Sequence, residues 1–78
     1  MRDYSSDELI AGIDKWITGK NAERNRMILK MRLVHGYTYE QISECLHNNE
    51  ELPDRYKLSV RQISRIISNE TLKLFKHI

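Results

Sequence analysis

Leu9, Ile10, Ile13, Trp16 and Ile17 recur at the spacing of one helical face behind Ser5 and Glu8, whose three-residue separation is that of a capping box. This pattern predicts an amphipathic helix over about 6–18 that stops at Gly19. A second apolar stripe, Ala22, Met27, Ile28, Met31, Leu33 and Val34, lies between Asn21, a residue suited to an N-cap, and Gly36. Thr38 with Gln41 forms another capping box, opening a short helix over about 39–46 with Tyr39, Ile42 and Leu46 turned inward. Ser59 with Gln62 forms a third, before Val60, Ile63, Ile66, Ile67, Thr71, Leu74 and Ile78 on one broad face. Between the last two helices, residues 47–58 read as a connection. Asn48-Asn49 and Pro53-Asp54 are turn formers, and Leu52, Tyr56 and Leu58 are its apolar anchors. No stretch alternates as a strand does. The expectation is an all-α, compact four-helix domain spanning 1–78, with a long connection between the third and fourth helices.

A chain of 78 residues has room for one modest core. Hydrophobic residues at 40% and charged residues at 31% are a folding composition, not a disordered one. The net charge of +2 says little, but its distribution is uneven. Residues 37–54 carry five acidic groups and no Lys or Arg, whereas 55–78 carry six basic groups and one acidic. The final helix is therefore the basic one. No apolar run approaches the roughly 18 residues of a membrane span, and Met1–Glu8 lacks the basic-then-apolar order of a signal peptide. A cytoplasmic protein without a membrane partner is expected. Cys45 is the only cysteine, so no intrachain disulfide forms, and it is expected as a small, buried or half-buried helix residue. His35, His47 and His77 match no metal-ligand spacing, and the three glycines read as helix ends, not as a phosphate-binding loop. Without a nucleophile beside a base, the chain reads as no enzyme, with no catalytic residue, cofactor, metal or small-molecule substrate.

The informative unit is a short capped helix followed by a longer capped helix with a basic polar face. That order is the one a helix-turn-helix requires, with the second helix entering the major groove of duplex DNA. Ala22–Arg32, Tyr37-Thr38-Tyr39-Glu40-Gln41-Ile42 and Leu58-Ser59-Val60-Arg61-Gln62-Ile63 together resemble region 4 of the sigma-70 family and the small phage and mobile-element transcriptional regulators like it. The resemblance covers about 21–76, with the helix-turn-helix unit over about 38–76. It implies a recognition helix capped by Ser59, with Ile63 and Ile66 facing the core and Arg61, Gln62, Ser64 and Arg65 facing DNA. The chemistry of these residues agrees, since arginine bonds guanine and glutamine bonds adenine in bidentate fashion. Thr38, at a helix N-terminus, and the cations Arg55, Lys57, Lys73 and Lys76 are the phosphate candidates. Double-stranded DNA is the expected partner, and the resemblance allows a homodimer or RNA polymerase beside it.

One departure stands out. A turn of three or four residues is usual, yet about twelve separate Leu46 from Ser59, among them Glu50, Glu51 and Asp54. Phosphates would repel these acids, so the insertion is expected to project away or to extend the third helix. The same feature supports an alternative: a protein-interaction module, inhibitor or recruiter, that uses the acidic 47–58 insertion or the first helix, through Ile13, Trp16 and Ile17. Trp16 is otherwise a core anchor.

Overall fold

The computed structural model describes residues 3–78; Met1 and Arg2, which begin the segment read against a signal peptide, lie outside the described residues. Four α-helices follow one another: α1 (Ser6–Trp16), α2 (Ala22–Leu29), α3 (Tyr39–Asn48) and α4 (Val60–His77). Among the described residues there is no strand, and no helix is long and apolar enough to cross a membrane.

All three capping boxes form. The hydroxyls of Ser5, Thr38 and Ser59 accept from the backbone N–H of Glu8, Gln41 and Gln62, and those three side chains accept in return from the cap N–H groups. Each box satisfies two amides that would otherwise lack a partner, which fixes where its helix starts. Asn21 precedes α2 but its side chain makes no capping bond, so that start is held instead by Ala22 N–H donating to the Gly19 carbonyl. Helix α1 ends at Trp16, two residues short of the expected boundary, because Ile17 turns to extended backbone and buries completely. Gly19 and Gly36 both take positive φ, at 107° and 72°, and so turn the chain where a side chain would be strained. The third glycine departs from its reading as a helix end. Gly12 lies inside α1, where an added Cβ would come within 3.2 Å of Leu74 and Ile78, so its absence lets α1 approach the end of α4.

Helix α2 runs on into a π-helical turn, Lys30–Val34, marked by His35 N–H donating to the Lys30 carbonyl, and Met31 and Leu33 both reach the core from it. Helix α4 packs against α1, α2 and α3 in turn. The core it completes contains Ile13, Ile28, Leu29, Ile42, Leu46, Ile63, Ile67 and Leu74, with Leu29 a buried position that the apolar stripe did not include. On α4 the inward positions are Ile63, Ile67, Glu70 and Leu74; Ile66 and Thr71 are half-buried, Val60 is exposed, and Asn69 does not interrupt the helix. Trp16 is half-buried and stacks on His77 at 4.1 Å, a packing role against α4. Ile13 and Ile17 are fully buried, so helix 1 offers neither of them to a partner.

The connection is shorter than the sequence suggests, because α3 continues to Asn48. Asn49 then closes a turn by accepting from Glu51 N–H, and a 3-10 turn follows at Asp54–Tyr56. Tyr56 and Leu58 are buried and Leu52 packs on the core, as anchors should. The Leu58 carbonyl accepts from Ser43 Oγ at 2.9 Å, and His47 Nε2 lies 3.0 Å from the same oxygen. The insertion is thus tied back to α3 one residue before Ser59 starts α4. Removing that start has a defined cost: Ser59→Ala lowers stability by about 1 kcal/mol, read as a lower urea midpoint, and Ser59→Asn restores most of it.

Candidate nucleic-acid interface

The inward set Ile63, Ile67, Glu70 and Leu74 determines what α4 shows to solvent. At 3.6 residues per turn the opposite stripe is Arg61, Arg65, Ser68, Asn69 and Leu72, all exposed. Arg61 and Arg65 stand one turn apart on it, and neither makes a hydrogen bond or ion pair among the described residues. Both guanidinium groups are therefore unengaged. Gln62 is exposed too, but its Oε1 is held at 2.9 Å from Ser59 N–H. That bond uses one lone pair of Oε1 and leaves the second, with the Nε2 donors, for another partner, so the capping box sets the orientation from which Gln62 would meet a base. Ser64 is half-buried on the flank of the helix, away from the arginine stripe.

The phosphate candidates divide similarly. Thr38 Oγ1 accepts from Gln41 N–H and Thr38 N–H donates to Gln41 Oε1, as Ser59 does with Gln62, but Glu40 stands in the first turn of α3. The first turn of α4, by contrast, has no acidic residue, and its Val60 and Arg61 amides lie ahead of the first intrahelical bond. The α4 start is therefore the better anion-facing terminus, a distinction legible in the sequence from Glu40. Lys57 pairs with Asp54 at 3.4 Å and Lys73 with Glu70 at 3.3 Å, both at i,i+3 spacing. Lys76 has no such partner among the described residues. Arg55 lies over the Tyr56 ring, and its carbonyl accepts from Arg24 Nη1 at 3.5 Å. That contact brings Arg24 beside it, a cation the sequence alone gave no reason to group there. Arg26, Lys30 and Arg32 hold other parts of the fold, through the Ile17 carbonyl, Asp14 and the Tyr37 carbonyl.

Glu70 is the one acidic group of 55–78, and it is only 7% exposed. Its Oε2 is buried without a hydrogen-bond partner. Because an unsatisfied buried polar atom costs about 1–3 kcal/mol, Glu70→Leu should raise stability by a similar amount, seen as a higher urea midpoint.

On another side, Met27, Met31, Tyr37 and Cys45 line a trough of about 580 Å³ between α2 and α3. Cys45 is exposed there, contrary to expectation, because Leu46 takes the inward position and Cys45 falls about 100° round the helix. Glu40, Glu44, Glu50 and Glu51 are exposed and make no ion pair among the described residues. Among the described residues no three His, Cys, Asp or Glu side chains gather as a metal site. No protein-family model, curated protein or solved structure matches the chain.

Proposed function

We propose that this protein binds duplex DNA sequence-specifically as a small transcriptional regulator, using α3 and α4 as a helix-turn-helix with an enlarged connection and inserting the first turns of α4 into the major groove. The observation that carries the reading is the pair of exposed, unpaired arginines Arg61 and Arg65 on one face directly after a capped helix start with no acid in its first turn. A guanidinium presents paired donors that fit guanine O6 and N7. Arg55 and Lys76 supply sequence-independent attraction to phosphates, with Lys57 and Lys73 joining once phosphate competes with their exposed acidic neighbour or buried one. The acids of 37–54 lie on α3 and the connection, and none stands on the outward stripe of α4.

Fluorescence anisotropy with a randomised duplex across a salt series tests this directly. The logarithm of the binding constant falls linearly with the logarithm of salt concentration, and Lys76→Ala reduces the steepness by about 0.9, the value of one lost phosphate contact. Absence of binding at low salt contradicts the proposal.

The second reading is a protein-interaction module on the same scaffold, favoured by the four unpaired glutamates of α3 and the connection. Under it, replacing Glu44 and Glu51 by Gln abolishes partner binding while Arg61 and Arg65 are dispensable.

A further inference from the structure

We infer that the base-reading surface does not stop at the first turns of α4 but continues along its outward stripe to Asn69 and Leu72, with Asn69 reading an adenine and Leu72 packing on a thymine methyl; this rests on the DNA-binding reading above. Helix α4 has 18 residues, so it is about 27 Å long. A helix lying along the major groove reads bases with residues at i, i+3, i+4 and i+7. Arg61, Arg65, Asn69 and Leu72 extend that spacing on one exposed face. Four residues advance about 6 Å along the axis, close to two base-pair steps, so Arg61 to Leu72 spans about five steps.

Three observations extend the surface this far. First, Asn69 has no hydrogen-bond partner among the described residues, although asparagine lowers helix propensity and is well placed to offer both a donor and an acceptor outward. Second, Leu72 is 73% exposed, far more than the other exposed apolar side chains, while its neighbour Phe75 is partly covered by the Tyr4 ring at 5.5 Å. Third, the one carboxyl group of α4 is turned into the core as Glu70, despite an unsatisfied oxygen, so the helix presents no acid to solvent anywhere along its length. Lys76 then stands one turn past Leu72, positioned for the flanking phosphate strand. The surface is bounded on the Phe75 flank, where the Tyr4 ring packs against the helix.

The test is selection of bound duplexes from a randomised library by the full chain, by Asn69→Ala, by Leu72→Ala and by Arg61→Ala. The wild-type site is expected to span about six base pairs, with guanine preferred toward one end. Asn69→Ala removes an adenine preference of about tenfold and Leu72→Ala a weaker thymine preference, both toward the other end, with the guanine positions intact. Circular dichroism checks that both surface variants remain folded. Unchanged motifs in both variants, with the Arg61-dependent guanine retained, overturn the inference and leave the DNA reading standing. If Leu72→Ala instead converts a dimer to a monomer in sedimentation without altering the preferred bases, the leucine belongs to a contact between copies and the inference fails. No enrichment by the wild-type chain overturns both.

Discussion

Replacing Arg61 and Arg65 together by alanine removes the guanine preference and weakens binding to the preferred duplex by about 2–6 kcal/mol, or roughly thirty-fold to twenty-thousand-fold, since each bidentate arginine contact discriminates by about 1–3 kcal/mol. The size of the effect follows from where the two side chains stand. Both are exposed, both lie on the stripe opposite Ile63 and Ile67, and neither holds any part of the fold. The double variant should therefore keep the wild-type circular dichroism spectrum and urea midpoint to within about 0.5 kcal/mol, as surface substitutions usually do. Lysine is a revealing control. Arg61→Lys keeps the charge but loses the planar fork, so the residual salt-dependent binding survives while guanine preference falls. Anisotropy titrations on preferred and scrambled duplexes measure both quantities. Equal affinity for the two duplexes in the unmodified protein would remove the reason for assigning these arginines to bases.

The other large effect is on the scaffold. Ile63 is fully buried one turn into α4, beneath Arg61 and Arg65, in the core shared with Ile42 and Leu46 of α3. Ile63→Ala costs about 2–5 kcal/mol through lost burial and the cavity left behind. A domain of this size has a total stability of only about 4–12 kcal/mol, so the variant loses a large fraction of it and unfolds measurably wherever the parent lies at the lower end. Its urea midpoint falls sharply, and its DNA binding falls with the folded fraction. Stabilising the variant with Glu70→Leu should recover part of both. A midpoint within 1 kcal/mol of the parent would mean that Ile63 does not anchor α4 as the packing indicates.

What the sequence made legible was chiefly local. Ser5 with Glu8, Thr38 with Gln41 and Ser59 with Gln62 each form their bonds within four residues, so three helix starts could be read from adjacent letters. The face of α4 was legible for the same reason, because Ile63, Ile67 and Leu74 repeat at helical spacing. Features that depend on distant contacts were not. Gly12 is explained only by Leu74 and Ile78, more than sixty positions away. Glu70 stands three residues after Ile67 and four before Leu74, so its place on the inward face was implicit in the spacing, but its charge masked it as a gap in the apolar stripe. The spacing that turned Ile42 and Leu46 inward also places Cys45 about 100° round the helix, so its exposure was available from periodicity although it was expected as buried or half-buried. The candidate site divides along the same line. The exposure of Arg61 and Arg65 follows from periodicity, and the bond that orients Gln62 was implicit in its spacing from Ser59. The pairing of Lys57 with Asp54 and of Lys73 with Glu70 was visible as i,i+3 spacing. The nearness of Arg24 to Arg55 was not, since it depends on how the connection folds back.

The most direct measurement is a nitrogen–proton correlation spectrum of the labelled protein recorded as duplex DNA is added. The largest shifts are expected on Val60, Arg61, Gln62, Arg65 and Asn69, with smaller ones at Arg55 and Lys76, while Glu40, Glu44, Glu50 and the residues of α1 stay still. Shifts concentrated on α1 or on the 37–54 segment, with the outward stripe of α4 unmoved, would contradict the proposed interface.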